Sequence, residues 1–396
     1  MKTLRIKPEY LNDIKRGYSL VSRDAVPNRD ILEVEGELFE ITDAHNKFIG
    51  KGYYGNQNKG IGWILSTKED EAIDQEFFTT KINTALRHRK HFFDNTDTTA
   101  FRVFNGEGDG IGGLTIDYFD GYFMISWYSE GMYSFRDNII AALDRLTTYK
   151  AIYEKKRFDT KGMYLEQEDD FVKGEPGVFP IIIKENGMNF AVDLNDGAMT
   201  GIFLDQRDVR ELIRNEYAKD ANVLNTFSYT GAFSVAAVLG GARNTTSVDL
   251  AKRSLPKTIE QFSVNAIDFE SQDIKVMDVF DYFKYAQRKE MKFDLVVLDP
   301  PSFARSKKMT FSSAKDYTKL LADAIKITEK NGIIVASTNN ASFGMKKFKT
   351  FIDKAFKDAN IKYKIVEDLG LPKDFHNNRD FPEFNYLKVC FIKKLK

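Results

Sequence analysis

Short runs of alternating hydrophobic and polar residues fill the chain up to about residue 72, and turns rich in glycine and asparagine separate them. Alternation with a period of two, broken by such turns, predicts β-strands. The runs are LRIKP, YSLVS, ILEVEG, LFEITDA, KFIGKGYYG and GIGWILS. We therefore predict a small all-β barrel over residues 1–72.

The spacing of apolar residues changes to three and four at Ile73 and keeps this pattern to about Phe93, which predicts an amphipathic helix. Its polar face is basic and carries Lys81, Arg87, His88, Arg89, Lys90 and His91. We interpret this as a solvated face. Contacts to phosphate groups are the first alternative, and a zinc site at His88 and His91 is the second.

Strands and one helix mix between Phe101 and about Val192. The strands are RVFNG, GLTIDYF, YFMISWY, AIYEKK, IIIKENG and MNFAVDL, and the helix lies near residues 134–146. The glycine-rich run GEGDGIGG separates two strands instead of preceding a helix, so we predict a hairpin turn there and not a phosphate loop. This pattern predicts a central α+β domain over residues 73–194.

Strands and helices alternate regularly after Asn195. The apolar strands are ANVLNTF, TTSVDL, DIKVMDV, FDLVVLDP, GIIVASTN, KYKIVEDLG and NYLKVCFIKK. The last two have no helix between them, which predicts an antiparallel hairpin at the end of an otherwise parallel sheet. We predict an α/β, Rossmann-like domain over residues 195–396.

Composition narrows the class of protein. Hydrophobic residues make up 42% and charged residues 29% of the 396 residues, and no apolar run could span a bilayer, so we expect a soluble, cytoplasmic protein. Basic and acidic residues number 58 each, so any nucleic-acid binding must come from local patches. The one cysteine excludes an internal disulfide and a cysteine-rich metal site.

Candidate ligand-binding residues follow the first three strands of the α/β domain, where open α/β sheets bind their ligands. The segment NTFSYTGAF begins at Asn225, and its small residues Ser228 and Gly231 let backbone amides approach a ligand. Asp249 ends the second strand and can accept both ribose hydroxyls. Asp278 follows the third strand, near the expected adenine. Each signal is weak alone, but their order and spacing together predict a nucleotide-type cofactor.

A second group of candidates follows the fourth and fifth strands. The segment DPPSF runs from Asp299 to Phe303, and its two prolines, Pro300 and Pro301, restrict the backbone and lack amide hydrogens. The Asp299 carboxylate is thereby left as an acceptor that suits a planar, amino-bearing base. Asn339 and its neighbour follow the fifth strand and offer amide groups to a base edge.

Together with GIFLDQRDVR at residues 201–210, these segments resemble the bacterial large-subunit ribosomal RNA methyltransferases of the RlmI and RlmK type. The resemblance covers the whole chain. It implies a PUA-like RNA-binding barrel, a class I methyltransferase domain, S-adenosylmethionine as cofactor with S-adenosylhomocysteine as product, and no metal. It also implies 23S rRNA or a large-subunit assembly intermediate as partner, no membrane, and a homodimer as a possible assembly. The implied cofactor-site residues are Gln206, Arg207, Asn225, Phe227, Ser228, Gly231, Asp249, Asp278 and Asp299.

The chain departs from the RlmI pattern in its cysteine. RlmI-type enzymes make 5-methylcytosine and carry a cysteine just after the fifth strand, because carbon 5 becomes nucleophilic only after a thiolate adds to carbon 6. The corresponding stretch here is ASTNNASFG, and the only thiol, Cys390, lies in the last strand. The segments GGARNTTSVDL, DPPSFARSKKM and STNNASFGM instead resemble RlmK, which methylates N7 of guanine. That atom has a lone pair and no proton, so it needs neither a nucleophilic residue nor a base.

We therefore predict a 23S rRNA guanine-N7 methyltransferase. Asp299, Ser302 and Asn339 are expected to hydrogen-bond to the base edge, Pro300 to shape that edge, and Phe303 to stack on the base.

We also expect the barrel and a basic patch of Arg305, Lys307 and Lys308 to bind RNA phosphates. Three alternatives stay open: a pyrimidine-C5 rRNA methyltransferase without the usual cysteine, a non-catalytic RNA-binding assembly factor that keeps the pocket, and a small-molecule methyltransferase, for which two RNA-type modules have no evident use.

Overall fold

The computed structural model describes residues 1–57, 60–158, 170–197, 199–305, 310–378, 381 and 383–395. The chain forms two compact units. The first contains Met1–Ile181, Asp193–Thr200 and Lys373–Phe384, and the second contains Ile182–Val192, Gly201–Pro372 and Asn385–Lys396. The domain boundaries predicted after residues 72 and 194 stay a prediction.

The amino-terminal part of the first unit is a five-stranded sheet of order β1-β3-β4-β5-β2. Its elements are β1 (Lys2–Arg5), α1 (Leu11–Lys15), β2 (Leu20–Ser22), β3 (Leu38–Thr42), β4 (Phe48–Tyr54) and β5 (Gly60–Ser66). Phe39 and Ile41 of β3 are fully buried in its core, as the alternation predicts.

The strand predicted at ILEVEG is wrong. This segment turns, because the Glu37 carboxylate accepts hydrogen bonds from the backbone amides of Glu33 and Val34. Val34, which the alternation predicts to be inward-facing, is 64% exposed.

The second part of the first unit is a five-stranded sheet of order β10-β9-β8-β7-β6 with helices packed on it. Its elements are α2 (Gln75–His88), α3 (Lys90–Phe93), β6 (Ala100–Asn105), β7 (Leu114–Phe119), β8 (Tyr122–Trp127), α4 (Glu130–Tyr133), α5 (Arg136–Leu146), β9 (Ala151–Lys156) and β10 (Phe171–Gly174). The Asp74 side chain caps α2 by accepting the amides of Glu76 and Phe77. The run GEGDGIGG joins the antiparallel strands β6 and β7, which confirms the predicted hairpin.

One residue departs from the predicted solvated face. His88 and His91 are exposed, but Arg89 is only 1% exposed. The Arg89 side chain turns inward because its guanidinium forms a two-pronged ion pair with Asp109, with both N–O distances at 2.7 Å, and donates to the Asp374 carbonyl.

The second unit is built on a seven-stranded sheet of order β15-β14-β13-β16-β19-β21-β20. The strands of this sheet are β13 (Asn222–Thr226), β14 (Asn244–Asp249), β15 (Asp273–Val276), β16 (Phe293–Leu298), β19 (Thr328–Thr338), β20 (Tyr363–Leu369) and β21 (Lys388–Lys394). Two separate two-stranded sheets contain β11 (Ile181–Glu185) with β12 (Met188–Val192), and β17 (Phe303–Arg305) with β18 (Thr310–Ser312). The helices of the second unit are α6 (Arg207–Leu212), α7 (Ala232–Leu239), α8 (Ser254–Ser263), α9 (Val279–Arg288), α10 (Ser313–Ile327) and α11 (Met345–Asp358).

Six strands of this sheet run in one direction, and β21 runs antiparallel to both of its neighbours, β19 and β20. This confirms the predicted antiparallel hairpin. The register aligns Thr226 with Val248 and Leu298, and Leu298 with Ala336. The segments that follow β13, β14, β16 and β19 therefore emerge side by side at the carboxyl edge of the sheet.

A hairpin of β11 and β12 belongs to the same unit. A buried ion pair between Glu185 of β11 and Arg210 of α6, with both N–O distances at 2.6 Å, ties the hairpin to the segment that contains Gln206. The Gln261 side chain of α8 exchanges two hydrogen bonds with the backbone of Ala191.

Among the described residues, no helix combines the length and the apolar character that crossing a membrane requires.

Candidate active site

The loop after β13 has an unusual backbone. Phe227, Tyr229 and Gly231 all have positive φ, at 54°, 51° and 80°. Positive φ is uncommon for non-glycine residues, so its repetition marks a strained turn. The amides of Ser228 and Tyr229 donate to the Val248 carbonyl and to Asp249, which joins this turn to β14. A Cβ at Gly231 would lie 2.6 Å from the Thr258 Cγ2 atom, so only glycine fits there. Ser228 lies between these residues and is 7% exposed.

Two of the predicted acidic residues lie at the carboxyl edge. Asp249 is partly exposed, and its two oxygens accept the amides of Tyr229 and Ala251, both at 2.8–2.9 Å. Asp278 caps α9, because its Oδ1 accepts the amides of Phe280 and Asp281. The structure thus gives Asp278 a structural role, and its contact with adenine stays a prediction.

Asn225 lies one residue before the end of β13, below this loop. It is fully buried, and its Nδ2 donates to Ser234 Oγ at 3.0 Å. Its Oδ1 has no hydrogen-bond partner among the described residues. A direct contact of Asn225 with the cofactor stays a prediction.

Gln206 and Asp299 meet at the end of β16. Gln206 is 3% exposed, and its Nε2 donates to Asp299 Oδ1 at 3.1 Å and to Ser337 Oγ at 2.8 Å. Its Oε1 is buried and accepts no hydrogen bond from the described residues. A buried acceptor without a donor is costly, and such atoms are commonly matched by a ligand.

Burial raises the pKa of Asp299 to about 6, and the nearby carboxylate of Asp205 acts in the same direction. Hydrogen bonds from Ser337 and Gln206, together with the Arg210 charge, lower the pKa of Asp299 by less. A strand-end carboxylate whose charged form is destabilised in this way is typical of a functional site.

The predicted base-contacting residues lie close together. Ser302 Oγ donates to Asn339 Oδ1 at 2.6 Å, and Phe303 is 64% exposed. Pro300 is buried, whereas Pro301 is exposed. The site therefore places a hydrogen-bonding pair beside an exposed aromatic ring, which suits a nucleobase.

The remaining predicted residues are Arg207 and the basic patch of Arg305, Lys307 and Lys308. Arg207 begins α6 and is 4% exposed, with Asp208 at 3.7 Å. Lys307 and Lys308 lie outside the described residues, and for Arg305 only the backbone in β17 is described. Their role in RNA binding stays a prediction.

Three contributors were missed by the sequence analysis. Ser337 binds Gln206, Tyr386 donates through its hydroxyl to Asp205 at 2.9 Å, and Lys388 donates to the backbone of the Asn339–Asn340 turn. Ser337 could have been found as a hydroxyl at the end of an apolar strand. The other two carry no local sequence signal.

The only thiol in the sequence, that of Cys390, is in an apolar, buried environment. Cys390 is fully buried in the middle of β21, and its Sγ lies 3.6 Å from the Met345 Sδ atom. Burial raises the pKa of Cys390 to about 12, which disfavours the thiolate that nucleophilic attack requires.

One group in the first unit, His88, Asp109 and His376, has the composition of a metal site, since its possible ligand atoms lie within 4.8 Å of one another. Both carboxylate oxygens of Asp109 already bind the Arg89 guanidinium. A cation there would compete with this ion pair.

Comparison with known families and proteins gives consistent matches over the whole chain. The family described as S-adenosylmethionine-dependent methyltransferase matches residues 101–385, and the PUA-like domain family matches residues 4–67. A Bacillus subtilis protein, YwbD, is 60% identical over the full length of both chains, and its name assigns it provisionally to the ribosomal RNA large subunit methyltransferases. The ribosomal RNA large subunit methyltransferase I of Alteromonas mediterranea is 32% identical over 98% of each chain.

Solved structures agree with this assignment. The crystal structure of SMU.776, provisionally described as a methyltransferase and complexed with SAH, is 40% identical, with a TM-score of 0.92 over 99% of this chain and 100% of that one. A structure from Streptococcus mutans, provisionally described as a SAM-dependent methyltransferase, is 39% identical with a TM-score of 0.90. The chain therefore belongs to the S-adenosylmethionine-dependent methyltransferase family and carries a PUA-like domain at residues 4–67.

Proposed function

We propose that this protein methylates N7 of a guanine in large-subunit ribosomal RNA, by direct transfer without a covalent enzyme–RNA intermediate. The names of its relatives support ribosomal RNA of the large subunit as the substrate class. One observation carries the choice of a nitrogen target: the only cysteine in the sequence is buried, with a raised pKa.

The residues at the carboxyl edge fit S-adenosylmethionine. Each oxygen of Asp249 accepts one amide, so the carboxylate keeps further acceptor capacity for the two ribose hydroxyls. The Oε1 of Gln206, which accepts no hydrogen bond from the described residues, can accept one from an ammonium group, such as the one on the amino-acid end of the cofactor. When bound, the cofactor supplies a methyl group on a positively charged sulfur, which a lone pair can displace.

The protein's own contribution is to hold the base. The N1–H and amino group of guanine are donors, and they match the Asp299 carboxylate, which is ionised above its pKa of about 6. Ser302 and Asn339 offer further polar atoms, and the exposed Phe303 ring offers a stacking surface. Because N7 carries no proton, no general base is needed, and alignment is the main task of the site.

A second candidate is transfer to carbon 5 of cytosine. The names of several relatives, ribosomal RNA large subunit methyltransferase I, favour it because they correspond to the RlmI type. This route requires a thiolate or another nucleophile at carbon 6 of the base, and the buried Cys390 does not provide one.

Nucleoside analysis of ribosomal RNA separates the candidates. Purified protein is incubated with S-adenosylmethionine and rRNA from cells that lack the gene, and 7-methylguanosine and 5-methylcytidine are then quantified. We expect only 7-methylguanosine to increase. An increase in 5-methylcytidine alone would support the second candidate, and no increase in any methylated nucleoside would contradict both.

A further inference from the structure

A buried lysine at the carboxyl edge has no carboxylate partner in the part of the chain that the structure describes. Lys388 is 2% exposed, is the first residue of β21, and pairs in the sheet with Thr338, the last residue of β19. Its ammonium donates to two backbone carbonyls, those of Asn340 at 2.6 Å and of Tyr386. Among the described residues it forms no ion pair. The Phe343 ring lies 5.1 Å away, in cation–π range.

This arrangement is costly for the fold. A buried ammonium loses its hydration, and two carbonyl dipoles compensate less than a carboxylate does. Burial alone lowers the pKa of Lys388 to about 8. An apolar side chain of similar length would fill the same space without this cost, so stability does not explain why a lysine is found there.

The hydrogen bond to the Asn340 carbonyl links Lys388 to the residues that are proposed to contact the base. Asn340 is held by its side chain as well, because its Nδ2 donates to Ser313 Oγ at 2.9 Å. The preceding residue, Asn339, accepts the hydrogen bond from Ser302. The Asn340 backbone is therefore connected to Asn339 by the chain and, through the Asn339 side chain, to Ser302.

The hydrogen bond to the Tyr386 carbonyl links Lys388 to the segment that contains Asp205 and Gln206. Tyr386, whose carbonyl accepts from Lys388, donates through its hydroxyl to Asp205. Asp205 precedes Gln206, which binds Asp299. One ammonium thus links the segment that ends β19 to the segment that contains Gln206.

We propose that Lys388 is a positioning residue for methyl transfer: its bonds to the Asn340 and Tyr386 carbonyls hold the base-contacting turn in register with the Gln206–Asp299 pair. This inference rests on the proposed function, since the base-contacting role of Asn339 belongs to it. Lys388 touches neither reactant, so its effect is on alignment, where an error of about 1 Å can cost about 100-fold in rate.

The same strand offers a matched control. Lys394, at the other end of β21, also donates to two carbonyls, those of Ile325 at 2.8 Å and Thr328 at 2.6 Å. It lies at the amino edge of the sheet, at the opposite end of β21 from the residues described above. The variants Lys388→Met and Lys394→Met therefore remove similar bonds from the two ends of one strand.

The experiment measures kcat and KM with rRNA from the deletion strain, the affinity for S-adenosylhomocysteine by calorimetry, and Tm. For Lys388→Met we expect kcat to fall by about 10- to 100-fold, with native cofactor affinity and an unchanged or higher Tm. Lys394→Met should keep kcat within about twofold. Lys388→Gln, which is too short to reach both carbonyls, should behave as Lys388→Met does.

Three results would overturn the proposal: native kcat in either folded Lys388 variant, an equal loss of kcat in Lys394→Met, or a loss of both cooperative melting and cofactor affinity in both Lys388 variants. The last result would mean that Lys388 holds the fold. Failure of the proposed function is recognised separately, because the wild-type protein would then produce no 7-methylguanosine in the same rRNA.

Discussion

The two edges of the seven-stranded sheet contain similar polar residues in different states of pairing. At the amino edge, Asp294 of β16 accepts the Asn222 amide at 2.8 Å and forms an ion pair with Arg243 at 3.3 Å. At the carboxyl edge, Asp299 follows the same strand, receives the neutral donors Gln206 and Ser337, and lies near a second carboxylate. Asp294 thus has a cationic partner, whereas Asp299 receives neutral donors and burial raises its pKa to about 6.

The backbone of the loops at the two edges also differs. Asp220 and Glu290, in the turns before β13 and β16, are isolated residues with positive φ. After β13, three such residues occur within five positions. At the carboxyl edge, a run of positive φ, a buried acceptor without a partner among the described residues and the raised pKa of Asp299 occur in neighbouring segments. Folds accept such a cost in stability in return for binding or catalysis.

The largest expected effect comes from exchanging the two aspartates for asparagine. We expect Asp299→Asn to lower kcat/KM by roughly 100-fold, since it removes the charge that, in the proposed function, accepts hydrogen bonds from the base. Asp294→Asn should stay within about twofold. Radiolabel transfer from S-adenosylmethionine to rRNA measures both. Equal losses in the two variants would remove the functional distinction between the edges.

Asp299→Asn also has a consequence for stability. Because the pKa of folded Asp299 is about 6, above its ordinary value of 3.8, the folded state binds the proton more tightly. The free energy of unfolding therefore falls as the pH rises from about 4 to 6. Asp299→Asn should raise the free energy of unfolding at pH 7.5 by about 1–3 kcal/mol, and Tm with it, and should have little effect at pH 4. A lower Tm at pH 7.5 would contradict the raised pKa.

Glycines at the two edges give the next comparison. Both Gly231 and Gly241 have positive φ, at 80° and 86°, but a Cβ at Gly241 would approach no atom closer than 3.9 Å. Gly231→Ala adds a clash with Thr258 to the backbone strain, so we expect its affinity for S-adenosylhomocysteine to fall at least about 10-fold, and that of Gly241→Ala to be native. Adding Thr258→Ser, which removes the clashing methyl group, should restore part of the affinity. Calorimetry decides between these outcomes.

The sequence was sufficient for the strands of this sheet and insufficient for its site contacts. The central strands are short apolar runs, and the edge strands are short segments with β-branched residues bounded by turns, so the local pattern predicted all seven, including the antiparallel end. The bond between Gln206 and Asp299 joins residues 93 positions apart, and no local period records it. Residues at strand ends could be placed at the correct edge, but their partners could not.

Two departures from the predictions have the same origin. The inward turn of Arg89 depends on Asp109, 20 positions away, and on the carbonyl of Asp374, 285 positions away. The alternation in ILEVEG was overridden by Glu37, which binds the backbone of that segment. In both places a hydrogen-bond partner that the local pattern does not indicate outweighed the pattern.

Exposed aromatic residues at the two edges give a further comparison, with a smaller expected effect on kcat/KM. Phe303 follows β16 at the carboxyl edge and is 64% exposed, and Phe269 precedes β15 at the amino edge and is 36% exposed. Stacking of a base on an aromatic ring contributes about 1–3 kcal/mol, so Phe303→Ala should lower kcat/KM for rRNA about fivefold or more. Phe269→Ala should leave it unchanged, and both variants should bind S-adenosylhomocysteine normally. A native kcat/KM in Phe303→Ala would remove this ring from the proposed base site.

The smallest effect is expected at Cys390, which lies between the two edges of the sheet. If the methyl group passes directly to a nitrogen lone pair, the thiol has no chemical role, and Cys390→Ala should keep kcat within about twofold although the lost packing lowers Tm. The assay is run well below the melting temperature of the variant, so that stability does not limit the rate. A loss of kcat comparable to that of Asp299→Asn, with native cofactor affinity, would mean that the thiol becomes accessible during turnover. Covalent attack on a pyrimidine would then replace direct transfer as the preferred mechanism.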